Sequence, residues 1–171
     1  MPENAAKTEI ARTEMIVLRD DNGVVTQETS LKNDLPDGPT VLYRFGKVIG
    51  RLSYVAGKQH GESLFYNDAN EVSVRAMYEN GVLHGESQYF GASGIMVRKS
   101  TYAGGVLNGR TVHYFPTGAV REVAYYRSGM LDGELARFSP EGKLVQRICY
   151  TAGKVRPCPP LEKRRQEPGK E

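Results

Sequence analysis

The chain has 171 residues, a net charge of +3, 39% hydrophobic residues and no tryptophan. This length fits one domain, so small a net charge does not indicate a nucleic-acid partner, and with no apolar run near 18 residues we expect no transmembrane helix. Residues 1–14 lack the apolar stretch of a signal peptide. The sequence as it stands therefore predicts a cytoplasmic protein, or a periplasmic one if Met1 replaces a removed leader.

In chain order, the sequence divides into an arm, an array of repeats and a tail. We expect the arm at 1–13 and the Pro-rich, basic tail at 157–171 to be mobile, as chain termini generally are. The array covers 14–156 and opens with a degenerate copy at 14–37, which has Gly23 at its turn. Five regular units follow at 38–60, 61–84, 85–108, 109–132 and 133–156.

The regular units share a phrase with two glycines and two aromatic positions. "GVLHGESQYF" begins at Gly81 and "GVLNGRTVHYF" begins at Gly105, 24 residues later. The second glycine of the phrase opens each unit: Gly38, Gly61, Gly85, Gly109 and Gly133. An aromatic residue follows five positions later: Tyr43, Tyr66, Phe90, Tyr114 and Phe138. A tyrosine lies near position 17: Tyr54, Tyr78, Tyr102, Tyr126 and Tyr150. Self-similarity at a fixed period indicates a repeat architecture.

Each unit predicts a β-hairpin. Two short polar-apolar segments flank a turn signal: "NDAN" at 67–70, "GASG" at 91–94, "FPTG" at 115–118 and "SPEG" at 139–142. Gly accepts a positive φ at the end of such a turn, which suits a hairpin loop closed by a bulge. This loop predicts four cross-strand pairs: Tyr66 with Val72, Phe90 with Met96, Tyr114 with Val120 and Phe138 with Leu144. Because strand side chains alternate between faces, we expect these pairs and the position-17 tyrosines to share one packed, aromatic face.

The predicted fold class is all-β, because no segment shows helical periodicity over the length of a helix. Tandem hairpins with a period of 24 residues would form an elongated, twisted, antiparallel single sheet of roughly ten to twelve strands. The apolar pairs inside the Gly-x-x-x-Gly links, such as Val82-Leu83, are expected to cover one edge of the sheet.

Two cysteines lie on either side of the last link, where the phrase fails as "GKVRP". Cys149 and Cys158 either form a disulfide that holds the end of the array or remain free thiols. The redox compartment decides between the two, so both alternatives stay open at this point.

The repeated polar residues do not indicate catalysis. His60 and His84 hold equivalent places two strands apart, about 9.6 Å, which is too far for both to bind one zinc ion at about 2 Å. Glu62, Glu86 and Glu134 form a ladder in which each carboxylate has the same surroundings, whereas a catalytic pair needs surroundings that separate the two pKa values. We therefore expect no catalytic residues, no metal and no cofactor.

The positions that differ between units indicate a binding surface. On the face opposite the aromatic ladder, the alternation predicts three columns of side chains, and we expect residues from them to contact a partner: Tyr89, His113, Arg121, Tyr125, Arg75 and Lys99. Tyr and Arg are enriched at the energetic centres of protein interfaces. The alternative is an ordinary, half-hydrated sheet face.

The unit at Tyr78–Gly94, "Y-x-N-G-x-x-H-G-E-x-x-x-F-x-x-x-G", resembles the MORN repeat in its bacterial variant form. The resemblance implies stacked hairpins in one long sheet. It also implies an immunity or antitoxin protein that binds a cognate toxin, since small proteins built only of these variant repeats resemble that class. The alternative that it implies is a scaffold at a membrane that binds anionic phospholipid.

Overall fold

The computed structural model describes residues 12–160, which form one open antiparallel sheet of 14 strands and no helix. The predicted fold class is confirmed, with more strands than predicted. Each strand pairs with the next strand along the chain, except that β4 pairs with β6 and the two-residue β5 between them pairs only with β4. The strands are β1 (Thr13–Arg19), β2 (Val25–Lys32), β3 (Leu35–Arg44), β4 (Lys47–Val55), β5 (Lys58–Gln59), β6 (Gly61–Tyr66), β7 (Val72–Glu79), β8 (Val82–Phe90), β9 (Met96–Ala103), β10 (Val106–Tyr114), β11 (Val120–Arg127), β12 (Met130–Phe138), β13 (Leu144–Thr151) and β14 (Lys154–Arg156).

The predicted hairpin loops lie along one side of the sheet, where they join the ends of successive strands. In the loop at 115–118 the Gly118 amide donates to the Phe115 carbonyl at 2.9 Å, and Gly118 has a φ of +83°. The equivalent last residues of the other loops also have positive φ. All four predicted cross-strand pairs, from Tyr66–Val72 to Phe138–Leu144, are confirmed by the register.

Two-residue turns lie along the other side of the sheet, at the opposite ends of the strands, and they hydrogen-bond to one another. Asn80 and Gly81 both have positive φ, as a tight hairpin turn requires, and the strand then continues through Gly85. The amide of Gly105 in the next turn donates to the carbonyl of Leu83 at 2.8 Å. The same bond recurs one unit later, so each link is bound to the link before it. The exposed side chains of Val82, Val106 and Met130 form an apolar stripe along this side of the sheet.

The prediction that both sets of aromatic residues share one face is wrong. Gly61 lies opposite Tyr78, and Tyr66 follows five residues later on the same strand, so alternation places Tyr66 and Tyr78 on opposite faces. The sequence pattern hid this because β7 has one extra residue, Ser73, where the register shifts. A bulge of this kind moves every later side chain to the other face. We call the face that bears Tyr78, Tyr102, Tyr126 and Tyr150 the tyrosine face.

The core is a row of small side chains along the middle of the tyrosine face. Ser63, Ser87 and Ser100 are wholly buried and Ala76 and Ala124 nearly so, and each pairs with another member of the row across the strands. The half-buried tyrosines flank this row, and burial raises the pKa of Tyr78, Tyr102 and Tyr126. A single sheet has no second layer, so large side chains at the flanks must cover small ones between them.

The C-terminal end is also covered on the opposite face. Val112, Ala136 and Cys149 are buried there. Cys149 and Cys158 form a disulfide with their Cα atoms 5.1 Å apart, and an Arg147 Nη donates to the carbonyl of Pro159 at 2.7 Å. The first residues of the predicted tail are therefore held against β13. The rest of the tail and residues 1–11 of the predicted arm at 1–13 lie outside the described residues.

We expect Gly133→Ala to destabilise the protein by about 2 kcal/mol more than Gly118→Ala. Both glycines have positive φ, but Gly133 lies at +127°, a region that is essentially confined to glycine, and a Cβ there would lie 2.9 Å from the Cβ of Tyr125. A Cβ at Gly118 meets nothing within 4 Å. Urea unfolding of the two variants measures the difference. Equal losses would show that the strand can move away from Tyr125.

Candidate functional site

The most distinctive surface is a cleft on the tyrosine face across β8 to β11. Its volume is about 530 Å³, and its lining residues are Tyr89, Val97, Arg98, His113, Tyr114, Pro116 and Arg121. The register sets Tyr89 opposite Arg98, and His113 between Arg98 and Glu122. Arg121 is the extra residue where β11 shifts register, and it lines the cleft together with His113. We call this the arginine cleft.

Arg98 stacks on an aromatic ring inside the arginine cleft. Its guanidinium carbon lies 3.8 Å from the centre of the Tyr89 ring, a geometry in which the ring attracts the cation. Within residues 12–160, its Nε is buried without a hydrogen-bond partner and no carboxylate forms an ion pair with it. Residues Ser87, Ser100 and Thr111 on the adjoining row also have buried hydroxyls without a partner in that range. Burial raises the pKa of Tyr102, and the nearby Ser100 hydroxyl opposes this rise, so Ser100 has a polar neighbour beside the row.

The charges around the arginine cleft leave it electropositive. Burial lowers the pKa of His113, and the nearby Arg121 and Arg98 lower it further, while Glu122 opposes them. His113 is therefore neutral at pH 7. The Glu122 carboxylate accepts a hydrogen bond from Arg137 Nε at 2.6 Å, so this acid is already neutralised. The two arginines that remain, 98 and 121, make the cleft suitable for an anionic group.

The opposite face carries a ladder of ion pairs. Arg75 lies 3.5 Å from Glu62, and Lys99 and Arg147 bind Glu86 and Glu134 at 2.6 and 2.7 Å. We call this the ion-pair face. The bond from Lys99 is the main cause of a lowered pKa at Glu86. The predicted ladder of equivalent carboxylates therefore exists, and a basic residue neutralises each member.

The ladder is interrupted in the unit that begins at Gly109. Arg110 occupies the place of the glutamate and Val123 that of its basic partner. Arg110 lies opposite Tyr125, and both side chains are exposed. This interruption gives the ion-pair face one exposed cation beside one exposed aromatic ring.

The six predicted partner-binding residues do not share one face. Tyr89 and His113 lie on the tyrosine face, and Arg121 joins them in the arginine cleft. Arg75, Lys99 and Tyr125 each lie one residue from a member of the buried small row, so they point to the ion-pair face. The predicted single surface is wrong for the same reason as the predicted aromatic face, because the bulge changes which residues are neighbours.

The two histidines that were considered as metal ligands line one small cleft. His60 and His84 lie there with Glu79, and His84 Nδ1 is 3.1 Å from the Glu79 carboxylate. Within residues 12–160, no group of three or more His, Cys, Asp or Glu side chains is arranged to hold a metal ion. Over the same residues, no helix is long and apolar enough to cross a membrane.

Sequence reasoning missed two residues. Arg98 takes the place that Val74 holds in the preceding unit. A charged residue at a position that is apolar one unit earlier could have been recognised from the sequence. Phe45 is 94% exposed at the tip of the β3–β4 hairpin, where a positive φ of 49° is unusual for a bulky side chain. Apolar clefts flank it on both sides, next to Val48 and Val24.

Three comparisons with known proteins give different results. No family model matches it, and no curated protein matches it significantly. Among solved structures, it shows a similarity to the "Crystal structure of GtfA/B complex bound to UDP and GlcNAc". That match has 13% sequence identity and a TM-score of 0.27, and it covers 64% of this chain and 21% of the other. A similarity this low indicates neither a shared fold nor a shared activity.

Proposed function

We propose that this protein is an immunity or antitoxin protein that neutralises a cognate toxin or secreted effector by binding it directly. The likeness of its units to variant MORN repeats supports this class. The observation that carries a binding role is the row through the arginine cleft. There, four structurally equivalent positions hold Phe65, Tyr89, His113 and Arg137, while the small row beside them stays nearly uniform. Positions that packing does not constrain are free to carry the side chains that contact a partner.

The fold suits such a role because it presents a large, rigid surface. A standard protein interface buries about 800 Å² on each partner, and a sheet of preformed strands requires little ordering when it binds. The repeated carboxylates of the ion-pair face are each neutralised by a basic residue, which supports a binding function over a catalytic one. The Cys149–Cys158 disulfide supports an oxidising compartment such as the periplasm.

A co-expression experiment tests the proposal. The chain is produced together with the product of a neighbouring reading frame that inhibits growth, and the proposal expects growth to be restored and calorimetry to show a direct complex. We expect Tyr89→Ala and Arg121→Ala each to weaken binding by about 2 kcal/mol, the size typical of a hot-spot residue. Tyr125→Ala is the matched control, since it removes an exposed tyrosine from the ion-pair face.

The outcomes distinguish a partner bound at the arginine cleft from one bound on the ion-pair face, and they also test whether a toxin is bound at all. Loss of binding with Tyr125→Ala, and none with the other two variants, would place the partner on the ion-pair face. Absence of both rescue and complex formation would contradict the toxin-binding proposal.

The alternative is a membrane-peripheral scaffold that binds anionic phospholipid, and the β3–β4 tip favours it. Phe45 is exposed there between Arg44 and Lys47, and an aromatic ring flanked by cations suits the surface of an anionic membrane. Sedimentation with phosphatidylserine vesicles tests this alternative, with phosphatidylcholine vesicles as the control. Binding that is lost in Phe45→Ser would support it, and no binding to either vesicle would exclude it.

A further inference from the structure

One buried polar group in the lining of the arginine cleft has no hydrogen-bond partner among the described residues. The Nε of Arg98 is buried there without a hydrogen-bond partner within residues 12–160. The hydroxyls of Ser87, Ser100 and Thr111 belong to the small row beside the cleft and do not line it. Buried polar groups in folded proteins are nearly always paired, so each exception requires an explanation. The exception in the cleft lining is a guanidinium nitrogen, which indicates a place prepared for an anionic ligand.

The donors and charges around the cleft define the ligand's charge. A guanidinium offers five N–H donors in a fixed plane, and no donor of Arg98 is bonded within the part of the chain that the structure describes. Arg121 adds a second cation at the rim, and the nearby Glu122 is occupied by Arg137 at 2.6 Å. A guanidinium binds carboxylate or phosphate oxyanions through two parallel hydrogen bonds, so the ligand carries one of these groups.

The walls of the cleft define the part of the ligand that carries the charge. Val97, Tyr114 and Pro116 line it beside the arginines, and these side chains offer apolar surface. Inorganic phosphate has no apolar part to contact them. A carboxylate on a short aliphatic stem satisfies the arginines and the walls together.

We propose that the arginine cleft binds a carboxylate on a short aliphatic stem, supplied by a Glu or Asp side chain of the partner protein. The assignment of the source rests on the proposed function, whereas the carboxylate chemistry rests on the cleft alone. The carboxylate lies between Arg98 and Arg121, and His113 faces it from β10. The basic rim steers an acidic partner toward this part of the sheet.

The cleft itself is tested with the protein alone, by nuclear magnetic resonance. Sodium butyrate is the probe, with acetate, inorganic phosphate and chloride at matched ionic strength as comparisons, because salt screens exposed charges. Butyrate is expected to shift the Arg98 Nε–H and His113 ring signals with millimolar affinity, more tightly than acetate because of its longer stem. Bound anion is also expected to raise the pKa of His113, since a nearby negative charge favours the imidazolium. Arg98, Arg121 and Glu122, which also face that ring, remain in place during the titration.

Substitutions decide whether the cleft is responsible. Arg98→Gln is expected to weaken butyrate binding about tenfold, and Arg98→Lys, which keeps the positive charge, is expected to retain part of it. Arg75→Gln is the control, because it removes an arginine from the opposite face. Equal weakening in Arg75→Gln would overturn the proposal. So would tighter binding of phosphate than of butyrate, or butyrate binding that is unchanged in both Arg98 variants.

Binding measurements with the partner protein distinguish failure of this inference from failure of the proposed function. If butyrate binds as expected but no protein partner exists, the carboxylate site stands and the proposed function fails. If a partner binds with unchanged affinity to Arg98→Gln and to Arg121→Gln, the carboxylate inference fails and the proposed function stands.

Discussion

Tyr102→Ala is expected to lower the free energy of unfolding by about 3 kcal/mol, the lower end of the range for a large aromatic core residue. Tyr102 flanks the buried small row at Ser100, and burial is the first cause of its raised pKa, followed by its neighbour Tyr89. Truncation would expose that row, and no second layer exists to cover it. The lower end of the range applies because the ring is only half-buried.

Chemical denaturation followed by circular dichroism measures this loss. Tyr102→Phe is the first control and should cost little, since it keeps the ring and removes only the hydroxyl. Tyr125→Ala is the second control, because it removes an exposed tyrosine from the opposite face of the same region. A Tyr102→Ala protein as stable as Tyr125→Ala would show that the tyrosines do not hold the row.

Loss of the disulfide is expected to destabilise the C-terminal end by about 2.5 kcal/mol, the chain-entropy value for a short closed loop. The bridged residues are nine apart in sequence, and the bridge ties the start of the tail to Cys149, whose side chain is buried. Cys158→Ser is the preferred variant because Cys158 is less buried than Cys149. The effect should be local, because each repeat contacts only its neighbours.

Amide hydrogen exchange locates this effect. Protection should fall in β12 to β14 and stay unchanged in β6 to β9, and adding a reductant to the parent protein should reproduce the pattern. Unchanged protection in β13 would mean that Arg147 and the strand pairing hold the tail without the bridge. Uniform loss along the sheet would mean that the whole array unfolds as one unit.

The sequence alone determined the fold class, the repeat period and the hairpin register. Period and turn chemistry are local properties, so the Tyr66–Val72 pair and its three equivalents could be predicted from the spacing of glycines and aromatic residues. The links were also predictable in part, because a glycine pair with an apolar middle indicates a tight turn. The hydrogen bonds between successive links required the structure, since they join residues of different units.

Only the tertiary structure decided which residues share a face. One extra residue, such as Ser73 or Arg121, reverses the alternation within each hairpin, and its position in the strand depends on cross-strand pairing. That reversal separated Tyr89 and His113 from Arg75, Lys99 and Tyr125. It also set Glu122 rather than Arg121 opposite His113, and it placed Arg98 on the tyrosine face next to Tyr89. The sequence therefore determined the period of the sheet, and the bulges, which form only when the strands pair, decided the composition of each surface.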